Sequence, residues 1–239
     1  MSTLRLSDTA PNCNQEFILG PQWSIAGLSD MAKGVCVVIV PGWRDSGPGH
    51  WQTLWAERYS NTVRVQQDNW LTPTRDAWVL TIARTVQNQQ RPVVVVAHSL
   101  GCIAVTHLPP EAQEHIKGAL LVAPADPERR AILSDFAPVP SRKLPYRSIL
   151  VASNNDPYCP IRLSGAFARS WGSEFVRVPD SGHFNVESGH GPWPLGLALL
   201  QSLTGEGGLI ARASTEVTAS QDESKLLQPH NSRRSKVIS

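Results

Sequence analysis

The chain has 239 residues, of which 41% are hydrophobic and 18% charged, and its formal net charge is +2 at pH 7. That size fits one domain with tails, and that balance describes an ordinary globular protein. From Arg212 onward five basic and three acidic residues account for the whole excess of +2. The rest is near neutral, which excludes a basic face for nucleic acid, and no apolar run is long enough to cross a bilayer.

Residues 1–33 are polar and patternless and are read as an N-terminal extension without a fold, with Met31 as a candidate initiator. From residue 35 strand-like and helix-like runs alternate. Strands are expected at 35–40, 63–66, 93–97, 119–123, 148–153 and 175–178. Helices are expected at 50–59, 75–89, from 100 to about 108, at 161–170 and at 194–203. In the second helix Trp78, Ile82 and Val86 recur every fourth residue, one apolar face. Such alternation predicts an α/β fold, a mostly parallel doubly wound sheet with helices on both faces. The domain is placed at 34–204. Residues 205–239, rich in Ser, Gln and charge, are read as a disordered polar tail. Cys13, Cys36, Cys102 and Cys159 have no Cys-x-x-Cys spacing, so neither a zinc ribbon nor a redox motif is indicated. Free buried thiols and the lack of a signal-like start suit a cytoplasmic location.

The run Pro92-Val93-Val94-Val95-Val96-Ala97-His98-Ser99-Leu100-Gly101-Cys102 carries the most chemistry. Four valines suit a strand buried on both faces, and a helix-compatible stretch follows at once. A serine at such a junction is a nucleophile elbow. Ala97 and Gly101 are the small flanking residues that strand and helix need where they nearly touch. A decoy of the same pattern, Ala168-Arg169-Ser170-Trp171-Gly172, follows no strand and is read as a helix-end serine.

A serine hydroxyl needs a general base, and the base needs an orienting carboxylate. Asp156 follows the strand at 148–153 and His183 follows the one at 175–178, so Ser99, Asp156 and His183 are the catalytic candidates. Asp126, after the strand at 119–123, is a rival acid. Asp180 is too near His183 in sequence to reach its far nitrogen. His183 and His190 lack a third ligand at suitable spacing, so no metal is expected, and no cofactor. Oxyanion donors are expected from the backbone N–H groups of Leu100, at a helix start, and Trp43, in the Gly- and Pro-rich loop 41–51. Trp43 and His98 are carried as substrate-binding residues, although the His98 side chain should point away from the serine. Trp51, Trp70 and Trp193 are weaker candidates for an apolar pocket wall.

Four motifs together, Pro41-Gly42-Trp43-Arg44-Asp45-Ser46-Gly47-Pro48-Gly49-His50-Trp51-Gln52, Ala97 to Cys102, Asn155-Asp156-Pro157-Tyr158-Cys159, and Gly182-His183-Phe184-Asn185 running on to Gly191, resemble the serine hydrolase family of retinoblastoma-binding protein nine and its bacterial relatives. The resemblance spans about residues 34–204. It implies a compact, lidless α/β-hydrolase fold with Ser99, Asp156 and His183 as triad. It also implies hydrolysis of carboxyl-ester or peptide-type bonds. The Leu-x-Cys-x-Glu motif of the animal relative is not found, so its protein interaction is not carried over. The expectation is a serine hydrolase acting on a small acyl ester through an acyl-enzyme, with no nucleic-acid or membrane partner. The alternatives are a thioesterase or amidase on the same triad, and a binding or regulatory protein on a hydrolase scaffold.

Overall fold

The structure is a computed structural model and describes residues 34–204 and 209–212. The extension at 1–33, with Met31 and Cys13, lies outside the described residues, as do 205–208 and 213–239. Six strands form one parallel sheet: β1 (Cys36–Val40), β2 (Thr62–Arg64), β3 (Val93–His98), β4 (Ile116–Val122), β5 (Arg147–Ser153) and β6 (Glu174–Val178), in the spatial order β2-β1-β3-β4-β5-β6. The central strands are buried almost throughout because helices cover both faces, which is why they read as unbroken Val, Ile and Leu runs.

Alternate residues feed two cores. Val38, Val40, Val93, Val95 and Leu121 pack with helices α2 (Arg75–Gln87), α3 (Leu100–Thr106) and α5 (Ile161–Trp171). Val37, Ile39, Val94, Val96 and Leu120 pack with α1 (Trp51–Arg58) and α6 (Pro194–Thr204). In α2 the four-residue spacing does what it predicts: Trp78, Ile82 and Val86 are buried. Removing an aliphatic side chain of this kind from water contributes about 1.5–3 kcal/mol. The helix α5 ends at Gly172, whose φ of 70° is left-handed and admits glycine without strain.

Several expectations need adjustment. β4 starts three residues before the expected strand at 119–123, because Ile116 already pairs with Val93. Between α3 and β4 lies a further short helix, α4 (Pro110–Gln113), opened by prolines that fix its first turn. Short 3₁₀ turns at Pro127–Arg129 and Ala131–Phe136 add to the expected elements. Residues 209–212, assigned to the tail, lie against the domain instead. Leu209 is buried, Ala211 bridges Tyr59, and Ser60 N–H donates to the Ile210 carbonyl at 2.7 Å. The apolar pair Leu209-Ile210 supplies what the polar remainder of that segment lacks. No helix among the described residues is long and apolar enough to cross a membrane.

From β1 the chain moves outward to β2, then returns across the sheet to β3. The crevice where the order reverses lies between the carboxyl ends of β1 and β3, where open α/β sheets bind ligands. The loop at 41–50 leaves β1 there, and Ser99 leaves β3 beside it.

Candidate active site

Ser99 sits between the last residue of β3 and the first of α3, at φ 54° and ψ −121°. A non-glycine residue in that region carries strain of order 1–3 kcal/mol, so its surroundings must hold it there. Ser99 N–H donates to the Val122 carbonyl at 3.0 Å. Helix α3 presses against β1: a Cβ on Gly101 would stand 2.6 Å from the carbonyl oxygens of Val40 and Pro41. Only glycine fits that contact. Gly42 is equally constrained, since a Cβ there would stand 2.7 Å from Ser99 Cβ. The loop after β1 therefore touches the serine directly.

Ser99 Oγ donates to His183 Nε2 at 2.9 Å. On the far side of the ring, Nδ1–H is shared between Asp156 Oδ2 and Oδ1 at 2.9 and 3.0 Å. The side chains of His183 and Asp156 are only 8% and 2% exposed, so water competes little for these bonds. Asp156 Oδ1 also accepts the Tyr158 N–H at 2.8 Å.

The loop that carries His183 is tied from three elements. Ser153 Oγ and Asn155 Oδ1, at the end of β5, accept the N–H groups of Ser181 and Gly182 at 2.9 and 2.7 Å. Trp51 Nε1–H, from α1, donates to the Phe184 carbonyl at 2.9 Å. His98 Nε2–H, from β3, donates to the His183 carbonyl itself at 2.8 Å. Gly182 and Phe184 take left-handed φ values of 54° and 51°, which turn the loop inward between these anchors.

A cleft of about 510 Å³ opens over Ser99 and His183, within the usual range for a small-molecule site. Trp43, expected in its wall, lines it, with the indole N–H donating to the Leu71 carbonyl at 2.9 Å. Trp51, Trp70 and Trp193 do not line it. Trp51 and Trp193 are buried in the core beside Trp55, and Trp70 packs edge-on against Trp78. Their apolar area is spent on packing. His98 does reach the wall, but it is 5% exposed and its ring N–H is bonded to His183, so it positions that loop rather than offering a free substrate contact.

The rival residues have other partners. Asp126 lines the cleft but accepts the Glu128 N–H at 3.1 Å, and Asp180 accepts from Asn154 Nδ2 at 3.2 Å. Ser170 of the decoy lies in α5, paired with Ser141 Oγ at 2.9 Å. No group of His, Cys, Asp and Glu among the described residues could hold a metal ion. As the first residue of α3, Leu100 has an N–H without an intrahelical acceptor.

His50 was missed in the sequence. It caps α1, its Nδ1 accepting the Gln52 N–H at 3.2 Å, and it lines the cleft. That bond puts the proton on Nε2, a buried donor with no protein partner. Burial, reinforced by His183, Arg64 and His190, lowers the His50 pKa to about 4. Burial likewise holds the His98 pKa well below its ordinary value, aided by His183 and His50. Both rings are neutral at pH 7. Only the Gly-His-Trp sequence before a helix hinted at this, since a histidine can serve as an N-cap acceptor.

The loop at 41–50 is strained and pinned. Arg44 and Asp45 both have φ 68°, in a turn closed by Asp45 N–H to the Gly42 carbonyl at 3.1 Å. Arg64 of β2 pairs with the Asp45 carboxylate and donates to the Ser46 carbonyl at 2.9 Å. Arg44 N–H donates to the Trp70 carbonyl at 3.1 Å.

A family model for serine hydrolases matches residues 37–202. Among solved structures, a protein described as a YdeN-like hydrolase from Pectobacterium atrosepticum is 36% identical to this chain. The match covers 75% of this chain and 95% of that one, with a TM-score of 0.68. The ydeN gene product of B. subtilis is 22% identical over 71% of this chain and 98% of its own, with a TM-score of 0.59. Thermogutta terrifontis esterase 2 is 16% identical over 78% and 86%, with a TM-score of 0.54. These last two show likeness of fold. Comparison with curated proteins gives no match.

Proposed function

This chain belongs to the serine hydrolase family, within the α/β hydrolases, and on that premise we propose that it cleaves small carboxylic esters or related acyl derivatives through Ser99, His183 and Asp156. A hydrogen-bonded line from Ser99 Oγ through both His183 nitrogens to Asp156, at 2.9, 2.9 and 3.0 Å, carries this reading. Ser99 Oγ attacks the acyl carbon while His183 Nε2 takes its proton. Asp156 keeps the other ring proton on Nδ1 and stabilises the imidazolium. The carbonyl oxygen, now negative, is bound by the backbone N–H groups of Leu100 and Trp43. Collapse breaks the bond to the leaving oxygen, which takes the proton from Nε2. Water, activated by the same nitrogen, then hydrolyses the acyl-enzyme. Trp43 lies directly after Gly42, whose contact with Ser99 brings this loop to the nucleophile.

The open cleft suits modest, soluble acyl groups. Three buried cysteines left free, Cys36, Cys102 and Cys159, support a reducing, cytoplasmic location. Labelling with a fluorophosphonate probe, followed by peptide mapping, tests the catalytic assignment. One adduct on Ser99, lost in Ser99→Ala, is expected. An unlabelled but folded wild-type protein would overturn the assignment and favour a binding role.

A further inference from the structure

The cleft over Ser99 is lined by three arginines, Arg44, Arg129 and Arg130, all exposed. The Arg44 guanidinium carbon stands 4.3 Å from the centre of the Trp43 ring. Arg130 reaches the same ring at 5.6 Å and the Tyr158 ring at 5.0 Å. Tyr158 in turn lies 4.4 Å from the His183 ring. A continuous arc of neighbouring rings and guanidinium groups thus runs from the proposed base, over the cleft, to the loop beside the nucleophile.

Among the described residues none of these arginines forms an ion pair. Arg129 donates one N–H to the Pro157 carbonyl at 3.2 Å. Three carboxylates also line the cleft: Asp45, Asp126 and Glu187. Asp45 is committed to Arg64, and Asp126 to the Glu128 N–H. Arg44 and Arg130 share one indole ring without a counter-ion. Stacking on an aromatic face orients a guanidinium and leaves its edge donors free, the fork that suits a carboxylate or phosphate. Two cations against one ring at the cleft raise the local positive potential, which an anion lowers. The strained, pinned turn at Arg44 and Asp45 fixes the backbone from which one of them projects.

Resting on the hydrolase reading above, we propose that Arg44 and Arg130 form an anion subsite, and that the substrate is an acyl ester bearing a carboxylate or phosphate beyond the scissile bond. The anion sits on the acyl chain or on the leaving group, and the chemistry of recognition is the same. Two matched substrate pairs separate these sources. The p-nitrophenyl monoester of adipate is set against p-nitrophenyl hexanoate, and para-acetoxybenzoate against its methyl ester.

In one of the pairs kcat/KM should favour the anion at least tenfold. Arg130→Ala and Arg44→Ala should each lower that anion-to-neutral ratio about tenfold, and Arg130→Glu should invert it. Because the ratio is taken within one variant, a general loss of activity cancels. High salt should shrink the preference, since these charges are exposed. Equal rates within both pairs, or a preference for an aminoalkyl ester drawn to Glu187, would overturn the proposal. Fluorophosphonate labelling of Ser99 is run on the same preparations. Labelling without anion preference sinks the subsite alone, whereas no labelling sinks the hydrolase reading beneath it.

Discussion

The floor of the cleft and its mouth are built on opposite principles. On the floor, Ser99, His183 and Asp156 follow the ends of β3, β6 and β5, and hydrogen bonds shielded from most of the solvent join them. At the mouth, Arg44 and Arg130 stand exposed between regular elements and lie over aromatic rings, and Arg129, also exposed, donates to the Pro157 carbonyl. On the proposed mechanism the floor tolerates little displacement, because proton transfer needs hydrogen-bond distance between the groups. The mouth can change its side chains without disturbing the sheet. On the proposed reading, chemistry is tied to the scaffold, and selection among substrates to its rim.

Breaking the floor should produce the largest effects. Ser99→Ala and His183→Ala should each lower kcat/KM on a chromogenic ester by about 10⁴- to 10⁶-fold. Circular dichroism should show an intact fold. Asp156→Asn should follow with a loss of about 10⁴-fold, since the amide cannot hold the Nδ1 proton as an acceptor-only carboxylate does. Asp126→Asn is the control. If it proves the crippling change, the acid is misassigned.

Gly42→Ala probes the seam between floor and mouth. A methyl group 2.7 Å from Ser99 Cβ must push the serine or the loop aside. The expected loss in kcat/KM is about 10²-fold, with little change in melting temperature, because the displacement is local. Wild-type kinetics in this variant would mean that the loop at 41–50 plays no part in positioning.

The last effect leaves turnover aside and concerns acid stability. The His50 pKa is lowered to about 4 when folded, chiefly by burial, against about 6.5 when unfolded. Between those values the unfolded chain binds the extra proton, so stability falls as pH drops from about 6.5 to about 4. The loss from His50 is about 3 kcal/mol, and His98 adds to it in the same direction. Chemical denaturation at pH 7 and pH 4.5 measures this. His50→Gln should flatten the difference, and an unchanged slope would show that His50 does not control it.

What the sequence determined by itself was local. Four valines in a row specify a strand buried on both faces, and a serine with a small residue two positions on specifies a tight junction with a helix. Helical spacing in α2 specifies its buried face. Those facts depend on neighbours along the chain, so periodicity and side-chain size reveal them. The order Ser99, Asp156, His183 could be read the same way, as three loops after three strands. The choice between Asp156 and Asp126 could not, because both follow strands, and only the packing of β5 beside β6 brings one of them to His183 Nδ1. The tryptophans were ambiguous for the same reason. Trp43 lines the cleft while Trp51 lies in the core, and nothing in their common residue type says so. His50, Arg44 and Arg130 were invisible as a group. They lie on separate segments, and their roles rest on a shared ring, a missing counter-ion or a buried donor. Such properties exist only once the tertiary structure has brought distant segments together and, for His50, shut water out.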